Sequence, residues 1–119
     1  MPPNLAATIT GYAIGDTLSI AREVIDLPVG RTVTQAWMTV GSLQKIITSA
    51  PQAGIGQITD PGADGAASLL FEFTITDTGV TLAHERAAHF SIQVKFDNGE
   101  IATLEAGDFQ LTRAGPPVS

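Results

Sequence analysis

Two histidines and three nearby carboxylates are the residues of this sequence that could carry acid-base or metal chemistry. His84 and His89 are the only histidines, and Asp77, Glu85 and Asp97 lie close to them in sequence. Such a group could bind a metal or move a proton. A pair five residues apart, one in a predicted loop and one at a predicted strand start, matches no metal-ligand spacing. We therefore predict a solvated loop histidine and a strand-entry histidine, with no metal and no cofactor.

Acidic and glycine-rich segments offer three other chemistries, each of them incomplete. Residues 60–65 (DPGADG) have the oxygens of a calcium loop but not the ligand periodicity or closing glutamate of an EF-hand, so we interpret the aspartates as turn formers. Gly54 and Gly56 lack the third glycine of a nucleotide-binding motif. Glu72 and Glu105 could pair for glycoside hydrolysis, but isolated strand glutamates usually face solvent. No serine lies in a Gly-x-Ser-x-Gly elbow. The sequence predicts no enzyme and no catalytic residue.

Trp37 is the residue whose placement most affects the functional interpretation. In the predicted strand 32–40, one face carries Ala36, Met38 and Val40, and the other carries Val33 and Trp37. We expect Trp37 to point into the core. The alternative is that the Ala36 face is the core, which would leave Trp37 outside as an anchor for a partner protein or a sugar ring.

The strands that position these residues are clearest near the C-terminus. Residues 89–96 (HFSIQVKF) alternate between apolar and polar, and the Asp-Asn-Gly that follows is typical of a tight hairpin. We predict a return strand over 100–106, a break at Gly107-Asp108, and a last strand over 109–113. Earlier strands are predicted over 5–12, 17–25, 32–40 and 67–75, the last with Leu69, Phe71, Phe73 and Ile75 on its buried face.

Three segments are less regular. Residues 43–50 are predicted as a strand or a helical turn, and 51–66 as a long loop with a short segment at 55–59. Residues 76–88 are predicted to contain one helical turn, capped by Asp77 or Thr78 and anchored by Val80 and Leu82.

Short strands at intervals of about 8 to 12 residues are typical of a β-sandwich. We predict a single all-β domain over 1–119, an immunoglobulin-like antiparallel sandwich of seven to eight strands, with a core over about 5–113, an N-terminal arm over 1–7 and a C-terminal tail over 114–119.

The composition of the chain limits the kinds of partner that it could bind. Charged residues make up only 15% of the chain and the net charge is −6, so the basic residues are too few and too scattered for a nucleic-acid or anionic-membrane surface. The absence of cysteine excludes disulfides and thiolate chemistry. No apolar run is long enough for a membrane span, and the first residues do not resemble a signal peptide. We expect the chain to be made in a cytoplasm, with the mature protein starting near Met1.

Several segments resemble small virion proteins of tailed bacteriophages. They are residues 34–40 (TQAWMTV), 43–48 (LQKIIT), 56–60 (GQITD), 90–95 (FSIQVK) and 103–107 (TLEAG). The resemblance is to the immunoglobulin-like N-terminal domain of phage upper baseplate proteins, and it covers about residues 17–113. Unlike those proteins, this chain has a very short connection after Val40 and no receptor-binding or fibre domain.

The resemblance implies a non-enzymatic structural protein of the virion, and the missing second domain favours a capsid decoration or cement protein. The implied partners are the major capsid protein or other virion proteins, together with self-association as a dimer or trimer. We expect intersubunit contacts from residues 1–7 and 107–119, from Trp37 and from the 51–66 loop. The contact residues that we predict are Pro2, Pro3, Leu5, Trp37, Ile55, Phe109, Leu111, Pro116, Pro117 and Val118. The alternatives are a tail or baseplate component, which copy number would distinguish, and a carbohydrate-binding module that uses Trp37 and Tyr12.

Overall fold

Eight strands form two sheets that pack face to face in the computed structural model, which describes residues 4–25, 27, 30–62, 65–82 and 87–112. The strands are β1 (Asn4–Ala13), β2 (Leu18–Val24), β3 (Val33–Val40), β4 (Leu43–Ile47), β5 (Gly56–Asp60), β6 (Ala67–Phe73), β7 (Ala87–Phe96) and β8 (Ile101–Thr112). The five-stranded sheet has the order β1-β8-β7-β3-β4, and the three-stranded sheet has the order β2-β6-β5. The predicted two-sheet, mostly-β architecture is confirmed.

The five-stranded sheet is mixed, because β1 runs parallel to β8 whereas the other three neighbouring pairs of the sheet are antiparallel. The prediction of an entirely antiparallel sandwich is therefore wrong. A parallel pair needs a long connection between its strands, and here almost the whole chain lies between β1 and β8. Period-2 alternation reveals that β1 is a strand but says nothing of its direction. The segment 4–7, predicted as part of an arm, is the start of β1.

The predicted break at Gly107-Asp108 is also wrong, since β8 continues through both residues to Thr112. Gly107 instead allows close packing: a Cβ at this position would collide with the backbone of Ala7 on β1. Glycine in a strand often marks such a close approach of another backbone. The hairpin before β8 forms as predicted, with the Gly99 amide donating to the Phe96 carbonyl at 3.0 Å.

The core lies between the sheets and is built from alternate strand residues. Phe73 of β6 and Phe109 of β8 meet across it with ring centroids 6.0 Å apart. The largest fully buried side chains are Phe71, Phe90, Phe109, Met38, Ile47, Ile58, Leu69, Leu82, Ile92, Val24, Val33 and Val40. Leu69, Phe71 and Phe73 are buried as predicted, which confirms the assigned inner face of β6.

A single π-helical turn, Asp77–Thr81, follows β6 and accounts for two errors in the predicted core. Ile75 is 64% exposed, because β6 ends at Phe73 and the Asp77 carboxylate accepts a 2.7 Å hydrogen bond from the Thr74 amide, which turns the chain away. Val80 is likewise exposed, while Leu82 is buried as predicted and Thr78 is the buried residue of the turn.

Candidate interaction surface

Trp37 lies on the solvent side of the five-stranded sheet, where it is half-buried. Ala36, Met38 and Val40 face the core, so the expected inward placement of Trp37 is wrong. The alternative is correct in placing the indole outside, and its role as an anchor stays a prediction. Val33, which we grouped with Trp37, is buried. A register irregularity between Val33 and Gln35 explains this, because an extra residue in a strand reverses the alternation.

A chain of hydrogen bonds fixes the indole across three strands. Trp37 Nε1 donates to Gln93 Oε1 of β7 at 2.8 Å, and Gln93 Nε2 donates to Thr103 Oγ1 of β8 at 3.2 Å. The strand neighbour of Trp37 on its other side is Ile46 of β4, which is 42% exposed. Ile46, Trp37, Gln93 and Thr103 thus form one continuous row across the sheet.

We define the outer face as the part of this solvent-facing side that surrounds Trp37, on β3, β4, residues 91–95 of β7 and residues 101–103 of β8. His89 and its aligned neighbour Asp108 lie farther along the same side and are not included. The outer face consists of Gln35, Trp37, Thr39, Gln44, Ile46, Ser91, Gln93, Lys95, Ile101 and Thr103. Lys95 is the only charged member of this set, although the chain has 12 acidic residues. Ile101, which pairs with Lys95, is 57% exposed. The outer face is therefore acid-free and carries the tryptophan and two exposed isoleucines.

The other predicted contact residues do not belong to the outer face. Leu5 is exposed on β1, and Ile55 is partly buried against the core. Phe109 and Leu111 are core residues, so the side chains that we expected to contact partners fill the interior instead. Pro2, Pro3, Pro116, Pro117 and Val118 lie outside the described residues.

The residues considered for chemistry are dispersed. His89 is exposed on β7, and His84 and Glu85 lie outside the described residues. Glu105 accepts a bidentate ion pair from Arg22, at 2.8 and 3.1 Å, that connects the two sheets. Glu72 lies on β6 among residues that face away from the core. Asp60 accepts a hydrogen bond from the Gly62 amide at 2.9 Å, as a turn former does.

An ion pair that sequence reasoning missed lies at one end of the sandwich. Lys45 Nζ is 2.6 Å from Asp77 Oδ2 and donates to the Gly54 carbonyl at 2.8 Å. The side chains are only 9% and 13% exposed. Lys45 sits opposite core residue Met38 and so faces inward. The pair joins β4, the loop before β5 and the π-helical turn.

Asp77 stays ionised in this setting. Burial alone would raise the pKa of its carboxyl, but hydrogen bonds from Lys45 and the Thr74 amide favour the charged form. Together with the attraction of the Lys45 charge, they hold the pKa of Asp77 below its usual value. The only sequence signal was a lysine at an inward position of a strand pattern.

A shallow groove of about 500 Å³ lies beside this end of the molecule. Glu72 is the one ionisable residue that lines it, among residues such as Ser19, Thr74 and Ile75. In the described parts of the chain, no three His, Asp or Glu side chains are grouped so that they could hold a metal ion. None of the helical structure within those same ranges is long and apolar enough to cross a bilayer.

No protein-family model matches the chain, and no curated protein matches its sequence.

Proposed function

We propose that this chain is a non-enzymatic structural protein of a bacteriophage virion, a decoration or cement protein that docks on the head. In this proposal the sandwich is of the immunoglobulin-like kind, and the chain acts by contact with the major capsid protein or other virion proteins.

The observation that carries the proposal is the acid-free outer face. Depletion of charge together with a tryptophan and exposed aliphatic side chains is the composition of a protein-binding surface rather than of an average one. Trp37 has the size and partial burial of an energetic anchor, and its hydrogen bond to Gln93 holds it in place before binding.

The distribution of ionisable groups supports a role without catalysis. Lys45 and Asp77 neutralise each other, as do Arg22 and Glu105. The groove brings only one carboxylate, that of Glu72, to its wall. An enzyme site needs several such groups that converge on one point. The resemblance of five segments to phage virion proteins directs the proposal to the head, the tail or the baseplate.

Copy number tests the location. Heads and tails of the phage that encodes the chain would be separated and quantified by mass spectrometry. We expect the chain in heads, in a number that follows the capsid lattice. A few copies confined to tails would replace the decoration role with the tail or baseplate alternative. Absence from both fractions would refute the virion assignment.

Rebinding tests the surface. Heads stripped of the protein would be incubated with purified chain carrying Trp37→Ala or Ile46→Ser. We expect binding to fall by about tenfold or more for Trp37→Ala, the loss typical of an interface anchor. The control is Val80→Ser, which changes an aliphatic side chain that is more exposed than Ile46, 62% against 42%, but lies on the π-helical turn. Equal losses for Ile46→Ser and Val80→Ser would show that docking does not use the outer face.

A carbohydrate-binding module is the second candidate, favoured by the outward Trp37 beside hydroxyl and amide side chains. Sugar rings stack on aromatic faces and hydrogen-bond to such neighbours. A glycan array screened with the native chain and with Trp37→Ala tests it. Binding that disappears in the variant supports this candidate, and silence of the native chain removes it.

A further inference from the structure

Strand β1 is held to the rest of the molecule by few core contacts. Of its ten residues only Ile9 is buried, Ala7 and Tyr12 are partly buried against the core, and Leu5 is 62% exposed. Its sheet neighbour is β8 alone, since β1 is the edge of the five-stranded sheet. Most of what holds β1 is therefore its backbone pairing with β8, which any strand of the same sequence could supply.

Strand β8, by contrast, is shaped to receive a strand along this edge. Thr8 aligns with Asp108 and Ile9 with Phe109, and Gly107 leaves room for the backbone of Ala7. Removing β1 would expose the backbone groups of β8 and one edge of the core around Phe109. An uncovered edge of this kind recruits a strand from another chain.

Gly11 lies where β1 could swing away. The register is irregular between Ile9 and Tyr12, and Gly11 has a φ of 94° with open space around the position of a Cβ. Beyond it, the end of β1 is fastened: the Ala13 amide donates to the Asp16 carboxylate at 3.1 Å, and Thr78 Oγ1 donates to the Asp16 carbonyl at 2.6 Å. The segment before Gly11 can thus move while the turn after it stays in place.

We propose that β1 exchanges between copies of this chain, so that residues 4–10 of one copy pair with β8 of a second copy. The second copy is the partner because it alone offers the same sequence in the same register, including the glycine opposite Ala7. Exchange of an identical element is a low-cost route to a dimer, since the contacts made equal those broken. β1 carries no charged residue, unlike edge strands β2, β4 and β5, so nothing in it adds to the repulsion between two copies of net charge −6.

This inference goes beyond the proposed function and does not depend on it. A decoration protein could dock by its outer face without exchange, and exchange could occur in a protein of any other role.

Cross-linking tests the exchange directly, because the chain has no cysteine of its own. Thr8→Cys and Asp108→Cys are made as separate variants, mixed, unfolded and refolded together at high concentration, and treated with a short thiol cross-linker. We expect a covalent heterodimer joined through the aligned positions. The control pair is Thr8→Cys with Glu100→Cys, whose second site lies in the β7–β8 hairpin away from the alignment. A heterodimer yield no higher than in the control pair would overturn the proposal. The Thr8→Cys/Asp108→Cys double variant is the positive control, because cross-linking within one chain would show that the cross-linker spans the distance between the two aligned positions.

A hinge variant gives a second measurement. Gly11→Val disfavours the positive φ of the closed hinge but suits an extended one. We expect the dimer association constant to rise about tenfold for each of the two hinges, as measured by light scattering. Adding Gly107→Ala, which blocks the pairing of β1 with β8 within a chain as well as between chains, should abolish the dimer and leave a monomer whose β1 is detached. A Gly11→Val protein that remains monomeric, or a dimer that persists in the double variant, would contradict exchange through β8.

Discussion

At the scale of single residues, the least predictable feature is the lysine on the inner face of β4. Lysine is almost never fully buried unless it is paired, and the alternation of residues 43–47 gave no reason to expect a partner 32 positions away. Sequence could place Lys45 on a face but could not show that Asp77 and the Gly54 carbonyl would meet it there. Such pairings depend on how loops return to the sheet.

Breaking this pair should cost far more than breaking an exposed one. Asp77→Ala leaves the Lys45 ammonium nearly buried without a counter-charge, so we expect a loss of about 3 kcal/mol in the free energy of unfolding, measured by urea denaturation. Arg31→Gln is the control, because Arg31 and Asp97 are 3.9 Å apart and well exposed. Its cost should stay below about 1 kcal/mol. Similar losses for both variants would show that burial does not strengthen the Lys45–Asp77 pair.

The same carboxylate sets a dependence on pH. The pKa of Asp77 is lower in the folded chain than in the unfolded chain, so the unfolded state takes up its proton first as the pH falls. The stabilisation is complete above about pH 4, the usual aspartate value, and is lost as the pH falls through the lowered pKa. Asp77→Asn should therefore show a shallower loss of unfolding free energy below about pH 4 than the native chain. An unchanged slope would mean that other carboxylates account for the acid sensitivity.

At the scale of elements, strand positions followed from alternation but strand partners did not. The inner faces of β6 and β7 were assigned correctly, because Phe71 and Phe90 belong to strictly alternating runs. Errors arose where the alternation is interrupted: at the bulge after Val33, at Gly107, and where Asp77 ends β6. Trp37 was misplaced for a different reason: alternation correctly put Trp37 and Met38 on opposite faces, but we chose the core face from the usual burial of tryptophan.

A glycine of β5 should be as strict a requirement as Gly107. A Cβ at Gly56 would collide with the Leu70 carbonyl of β6, and its φ of 129° disfavours other residues. We expect Gly56→Ala to lower the free energy of unfolding by about 3 kcal/mol, the upper range for overpacking. Gly99→Ala is the control, since Gly99 has a positive φ but open space. Gly99→Ala should lower the free energy of unfolding by only about 1–2 kcal/mol, which is the cost of holding alanine at a positive φ. Equal losses of unfolding free energy for the two variants would show that β5 and β6 do not lie as close together as they do in this structure.

At the scale of the whole molecule, the two-sheet class followed from spacing and turn residues, whereas the parallel β1–β8 pair and the outer face emerged only from the fold. The outer face combines two pairs of consecutive strands, β3–β4 and β7–β8, that are distant from each other in sequence, so the absence of acidic residues from it cannot be seen in a list of charges. The proposed function rests on that surface and on the resemblance.

Amide hydrogen exchange should separate the strands by position. β7 lies between β8 and β3, while β1 has a neighbour on one side only. We expect hydrogen-bonded amides in β1 to exchange at least about tenfold faster than those of β7, because local opening detaches an edge strand without disrupting the core. Equal protection in β1 and β7 would indicate that β1 opens only with global unfolding.

The parallel pairing of β1 with β8 also determines where attachments to the chain would project. Asn4 aligns with Glu105 and Ala13 with Thr112. Thr112 lies seven residues beyond Glu105 on β8, so Asn4 and Thr112 are about 23 Å apart along the strands. Fluorophores attached at Asn4 and at Thr112 would therefore report from points that far apart. A circular permutant that joins Asn4 to Thr112 would need a linker long enough to span that length.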